Sequence, residues 1–247
     1  MDSQIDEMYI AKCENTINGF DWGENSKETI NIVGPEIFEN KIYEKFAFVK
    51  EGDVVVDIGA NVGAFAYSIK DRLIKKIYCV EPSNGLIETL RKNLKNMPYS
   101  IINKAISNKN EDNIDLPNPH NIFNHIGNSY SSITFKKFIE DNNISNIDFL
   151  KVDCEGGEYE IFNEENRDYI INNVKNIALE WHFLNENTIE NFKIFRNCYL
   201  NGYNYRVFSR YGGDISFDIL DDQYLIDFES YHRAHFNGQF IVYISYS

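Results

Sequence analysis

The amino-acid sequence predicts an α/β protein: a doubly wound domain around a seven-stranded, mostly parallel sheet closed by an antiparallel strand pair. Three observations carry this. Short runs such as VVVDI (54–58), KIYCV (76–80) and IDFLKV (147–152) are apolar over most of their length, as strands buried on both faces must be. The segments between them repeat apolar residues at three- and four-residue spacing, which is the helical period. Each run also has an acidic residue at or near its end, with proline or glycine within three residues of that acid, where a chain turns from strand to helix.

The elements follow in order. Residues 1 to about 35 mix polar turns with alternating stretches such as ETINIV and read as a loose, hairpin-like lead-in. From Pro35, the spacing of Ile37, Phe38, Ile42, Phe46 and Val49 predicts an amphipathic helix packing on the core. The lead-in is thus residues 1–48 and the main domain 49–247. VVVDI is the first strand, and Val62, Phe65, Ala66, Ile69 and Leu73 mark the next helix. KIYCVEP is a strand ending at Glu81. Ser83 or Asn84 caps a helix carrying Leu86, Leu90, Leu94 and Met97, and Pro98 stops it.

YSIINKAIS reads as a third strand. A Pro-, Asn- and Gly-rich stretch at about 108–132 then breaks the rhythm as an insertion on the substrate side. ITFKKFIEDNNI is a short helix, IDFLKVDCEGGEYEIF a strand, a glycine turn and a helix start, and NIALEWHF a fifth strand. TIENFKIFRNCYLNG is a helix stopped at Gly202. YRVFSR and QFIVYISYS supply two final β-runs with no clear helix between them, which predicts a hairpin-type antiparallel pair.

Bulk properties exclude several classes. The 247 residues carry 38 acidic and 24 basic side chains, a formal charge of -14 that repels a nucleic-acid backbone. No nucleic-acid partner is expected. The opening residues lack a basic and apolar leader, and no apolar run reaches membrane-spanning length, so a cytoplasmic location without a membrane span is expected. Cys13, Cys79, Cys154 and Cys198 form no C-x-x-C pair, which argues against a zinc knuckle or a disulfide framework.

In doubly wound sheets ligands lie beyond the carboxyl ends of the strands. The residues there are Asp57, Gly59, Asn61 and Gly63; Glu81 and Pro82; Ala105; Asp153 and Glu155; and Glu180 and His182. The loop reads G-A-N-V-G, with Asn61 where a dinucleotide fingerprint needs its second glycine, so pyrophosphate binding is weakened. Asp57 would suit the ammonium of an amino-acid-bearing ligand. Glu81, 18 residues beyond Gly63, is placed to accept both hydroxyls of a ribose. Glycines alone would also serve a plain turn that binds nothing.

DIGANVG, then VEP, then SSITFKKFIEDNNISNIDFLKVDCEGGEYEIF resemble the FkbM-type group of class I S-adenosylmethionine-dependent methyltransferases, over about residues 40–185. The resemblance implies a Rossmann-like methyltransferase fold and S-adenosylmethionine as cofactor. Asp57, Gly59, Asn61 and Gly63 would cradle its methionine end, Glu81 and Pro82 its ribose, and Ala105 its adenine side, with Asp153 nearby. It also implies transfer to hydroxyl oxygens of small acceptors, among them a sugar or nucleotide sugar for a surface or capsule polysaccharide.

Glu180 and His182 lie two apart on one strand and face the same side. Imidazole suits a base near neutrality, so His182 is the expected general base, oriented by Glu180 or Asp153, with Glu155 beside them. An ordinary strand-end hydrogen bond is the competing reading of His182. No metal ligand is assigned, although Asp153, Glu155, Glu180 and His182 present the oxygen-rich set that Mg²⁺ prefers. His125 and Tyr130 in the insertion, and Arg206, Arg210 and Arg233 in the tail, are candidates for holding the acceptor. Two other functions compete: an NAD(P)-linked oxidoreductase, and a binding protein of the same fold without chemistry.

Overall fold

The computed structural model describes residues 19–23, 27–112, 130–183, 188–209, 212–233 and 238–246. Nine strands are defined among them: β1 (Val54–Ile58), β2 (Lys76–Val80), β3 (Tyr99–Ile102), β4 (Ala105–Ile106), β5 (Ser132–Ile133), β6 (Ile147–Val152), β7 (Val174–His182), β8 (Asn204–Ser209) and β9 (Gln239–Ser245). Seven of these form one sheet in the order β3-β2-β1-β6-β7-β9-β8. Its first five strands run parallel, and β9 lies antiparallel between β7 and β8. This is the doubly wound α/β sheet, with its closing antiparallel pair, that the apolar runs predict.

Strand alternation divides the core into two layers. Val56, Leu150, Leu179 and Val242 face one side, where the helices Phe135–Asp141, Glu164–Asn173 and Thr188–Phe195 pack. Their neighbours Val55, Phe149, Ala178 and Ile241 face the other, against the helices Ala64–Ser68 and Asn84–Leu94 and the lead-in. Each fully buried side chain of this kind contributes about 1.5–3 kcal/mol through removal from water.

Four expectations are corrected. The residues of ETINIV belong to the helix Lys27–Gly34, because Ile30, Val33 and Ile37 share a helical rather than a strand period. The single helix expected from Pro35 is broken into a π turn, Pro35–Glu39, and a 3-10 turn, Ile42–Glu44, since Lys41 adopts a left-handed φ of 48°. The run YSIINKAIS is split: β3 joins the main sheet, while β4 pairs with β5 in a separate two-stranded sheet. The final β-runs are not joined by a hairpin. A helix, Asp222–Arg233, lies between them, with Leu225 fully buried and Tyr224 and Phe228 packed on the core.

The lead-in is tied firmly to the domain. Arg72 makes a two-pronged ion pair with the buried Glu44, and Glu44 also accepts from the backbone N–H of Val49 at 3.0 Å. Tyr243 of β9 donates its hydroxyl to the Ile42 carbonyl. The short turn Ile42–Glu44 is therefore held against the sheet face bearing Asp57, Lys151 and Glu180.

Candidate functional site

The turn after β1 is shaped by backbone. Gly59 has φ +77°, and a methyl group on it would overlap the carbonyl oxygen of Asp153. Gly63, at φ +87°, would bring a side chain within 2.7 Å of Leu90. Glycine is required at both, for conformation and for space. Between them Asn61 stands at φ 49°, and its backbone N–H donates to Glu81 Oε2 at 2.9 Å. The Ser83 N–H donates to Glu81 Oε1 at 2.8 Å.

Glu81 is thus held at the end of β2 by two backbone donors. Burial raises its pKa to about 7, although those two hydrogen bonds pull the other way. Asn103 donates to the carbonyls of Glu81 at 2.9 Å and Pro82 at 3.0 Å, fixing the floor on the β3 side. Ala105 begins β4 and is buried.

Asp57 is placed behind this loop rather than in it. It is fully buried, and its register partner across β1 and β6 is Lys151. The ammonium lies 3.1 Å from Asp57 Oδ1, donates to the Gly59 carbonyl at 2.8 Å, and stands 3.8 Å from Asp153 Oδ2. Burial alone would lower the Lys151 pKa, but Asp57 and Asp153 raise it, so Lys151 carries its charge. Asp57 is thus paired with Lys151 inside the sheet.

At the ends of β6 and β7 the site is made of side chains. Asp153 accepts the Tyr43 hydroxyl at 2.8 Å. His182 is 4% exposed, with Nδ1 3.2 Å from the fully buried Glu158. Its Nε2 faces Glu155 and Glu180 at 3.7 Å each and Asp153 at 3.9 Å. Glu158 also accepts the N–H groups of Cys154 at 3.1 Å and Gly156 at 2.8 Å, bracketing Glu155 in its left-handed φ of 54°. Glu180 holds Gln239 at 3.0 Å through its other oxygen.

The protonation states follow from this crowding. Burial works against the His182 charge, but Glu158 and Glu155, with Glu180 behind them, hold its pKa well above the ordinary value. Burial also raises Asp153, yet Lys151, His182 and Tyr43 bring it below the usual carboxylate range. Glu180 goes the other way, pushed up by burial and by the Asp153 charge. The crowding thus raises His182 and Glu180 and lowers Asp153.

The structure brings together Asp153, Glu155, Glu180 and His182, and Gly59 against Asp153; Asn61 and Glu81 meet each other at the ends of β1 and β2, and Gly63 faces Leu90. Tyr130 is buried. Arg206 is exposed on the edge strand β8, with its guanidinium on the neighbouring Tyr205 carbonyl and β9 between it and β7. His125, Arg210 and the side chain of Arg233 lie outside the described residues.

Sequence reasoning missed Lys151, Tyr43 and Glu158. Lys151 had a signal: a lone cation in an apolar strand needs a buried anion, and Asp57 stands in an equally apolar strand. Tyr43 had none, since its turn lies more than a hundred residues from Asp153.

The loop suits S-adenosylmethionine. Glu81 puts a carboxylate able to take vicinal hydroxyls at the end of β2, and the glycines at 59 and 63 keep side chains off two positions of the turn.

Among known proteins, residues 57–207 match the family described as the methyltransferase FkbM domain. No curated protein matches significantly. Similar solved structures include a precorrin-6y C5,15-methyltransferase from Geobacter metallireducens, with 13% identity, 81% of this chain and 82% of that one covered, and a TM-score of 0.43. Fibrillarin from Aeropyrum pernix, in complex with S-adenosyl-L-methionine, has 12% identity over 83% and 71% of the chains, at 0.42. A putative RNA methyltransferase from Pyrococcus horikoshii has 11% identity over 98% of each chain, at 0.41.

Proposed function

The chain belongs to the FkbM methyltransferase family, with S-adenosylmethionine as cofactor, and from that premise we propose that it methylates a hydroxyl oxygen of a small acceptor, a sugar or nucleotide sugar of surface polysaccharide synthesis. One observation supports this reading best. An ionised carboxylate, Asp153, stands open to solvent at 26% exposure while its backbone touches the cofactor turn at Gly59. A group able to receive an acceptor's proton is therefore next to the place where a methyl donor would end.

When bound, S-adenosylmethionine supplies a methyl carbon on a positively charged sulfur. Transfer to an acceptor oxygen would leave the electron pair of the broken carbon–sulfur bond on sulfur, and the hydroxyl proton would have to leave to the protein. Asp153 and the 38%-exposed Glu155 are the open carboxylates that receive it. His182, fixed at Nδ1 by Glu158, turns its Nε2 toward those acids and keeps them in place. Glu81 would hold the ribose, and the Gly59–Gly63 turn would hold the donor for in-line displacement.

The charge of -14 favours a small acceptor over a nucleic acid. Labelled methyl from S-adenosylmethionine, offered to a panel of sugars, nucleotide sugars and RNA, tests this; label on a carbohydrate oxygen is the expected result. Label on RNA alone, or tight NAD binding with no affinity for S-adenosylhomocysteine, would overturn it.

A further inference from the structure

We propose that Asp153, Glu155 and His182 form a binding site for a divalent cation of the Mg²⁺ or Mn²⁺ class at the carboxyl ends of β6 and β7. One oxygen of each carboxylate and the ring Nε2 all lie within 4.8 Å of one another. The Nε2 is 3.7 Å from Glu155 Oε2 and 3.9 Å from Asp153 Oδ1, beyond hydrogen-bond reach of either. Donors bound about 2.1 Å from one small cation stand about 3.0 Å apart at right angles and about 4.2 Å apart across it. The two separations from Nε2 fall between these limits.

Acidic residues alone would not make a site; the histidine does. His182 is 4% exposed, and its Nε2 points into the space among the carboxylates without bonding to any of them. Its Nδ1 is anchored by Glu158, a side chain with no exposure whose remaining contacts are the Cys154 and Gly156 N–H groups and the Cys154 thiol. A metal-bound histidine characteristically gives its second nitrogen to such a carboxylate, which fixes the ring and aims the other nitrogen at the ion.

The local charge count points the same way. Asp57, Asp153, Glu155, Glu158 and Glu180 gather around one lysine and one imidazole. Lys151 is committed to Asp57 and the Gly59 carbonyl. Two oxygens and one imidazole, with the Cys154 sulfur turned to Glu158 at 3.6 Å, favour a hard or borderline cation over a thiophilic one. The exposure of Asp153 and Glu155 leaves the remaining coordination positions to water or to acceptor oxygens.

What the cation would do rests on the methyl-transfer reading. A hydroxyl held against it would be acidified directly, so Asp153 and Glu155 would serve as ligands and the proton would leave to water on the exposed side of the cluster. Whether it binds can be tested apart from that reading. Titration of the full chain with Mn²⁺, followed by loss of the free-ion electron paramagnetic resonance signal, is expected to show one site per chain, displaced by excess Mg²⁺ and weakened at least tenfold by Glu155→Gln. Unchanged calorimetric binding of S-adenosylhomocysteine by that variant shows that it is folded.

Absence of stoichiometric Mn²⁺ binding to the unmodified chain overturns the proposal, whatever the variant does. So does equal binding in the folded Glu155→Gln protein. Full methyl transfer in excess EDTA removes the cation and leaves the methyl-transfer reading standing. Stoichiometric Mn²⁺ binding without transfer to any acceptor supports the cation site and removes that reading instead.

Discussion

At the β1–β2 end of the sheet the ligand face is made of backbone, and at the β6–β7 end of side chains. The first uses two left-handed glycines, the N–H groups of Asn61 and Ser83, and one acid, Glu81, all within 25 residues of one another. The second draws Tyr43 from the lead-in, Asp153, Glu155 and Glu158 from the β6 turn, Glu180 and His182 from β7, and Gln239 from β9. A backbone-built face serves a ligand that never changes, because main-chain positions do not vary with side-chain identity. A face built from side chains can be retuned residue by residue, as an acceptor site needs. Lys151 joins them, bonding the Gly59 carbonyl on one side and approaching Asp153 on the other.

The sharpest way to separate the two ends is Asp153→Asn. Turnover should fall by about 10²–10⁴, the range for loss of a general base, while S-adenosylhomocysteine affinity by calorimetry stays within about threefold. Equal loss of both would mean that the ends do not work apart. Lys151→Met should strike both. It leaves Asp57 buried without its cation, a loss of about 3–5 kcal/mol in denaturant unfolding, and cofactor affinity should drop with turnover. Adding Asp57→Asn should recover part of that stability; no recovery would break the pairing argument.

A smaller change, Tyr43→Phe, removes a hydrogen bond to a charged acceptor, about 1.5–3 kcal/mol. It should lower turnover and leave cofactor affinity alone, which is a test of whether the lead-in serves only the side-chain end.

The smallest effect concerns pH at the backbone end. Glu81 is raised to about 7 from the ordinary carboxylate value, so its protonated form stabilises the free protein at low pH, and that contribution is lost as pH rises through about 7. Ribose hydroxyls donate hydrogen bonds and so favour the ionised acid. Cofactor affinity should then rise with pH up to about 7, by at most about tenfold per unit, and level off above it. Calorimetry in buffers of different ionisation heat should show proton release on binding at pH 6, and Glu81→Gln should abolish it.

These two ends also differ in how much of them can be read without coordinates. VVVDIGANVG and KIYCVEP declare a turn and an acid through residues adjacent in the chain, and the strand–helix rhythm carried the sheet. Asp153, Glu155, Glu180 and His182 were legible as strand-end residues because strand ends are where such sheets bind. What hid was contact across distance: Glu158 reads as an ordinary helix-start acid, and Tyr43 lies in a turn whose apolar spacing imitates a continuous helix. The pairing of Asp57 with Lys151 hid for the same reason, since the two are neighbours in the sheet and not in the chain. The helix Asp222–Arg233 was overlooked because its polar majority masked the sparse apolar stripe at Tyr224, Leu225 and Phe228.

The position of β9 has a consequence for biosynthesis. β9 joins β7 and β8 in the sheet, and it is the last of the described strands to leave the ribosome. Until residues 239–245 emerge, β7 presents an unpaired apolar edge next to a half-built acidic pocket, and β8 has no partner in the sheet. A nascent chain in that state is a template for pairing with its neighbours. Completion of the pocket, through Gln239 on Glu180 and Tyr243 on the Ile42 carbonyl, therefore coincides with the step that ends the risk of aggregation.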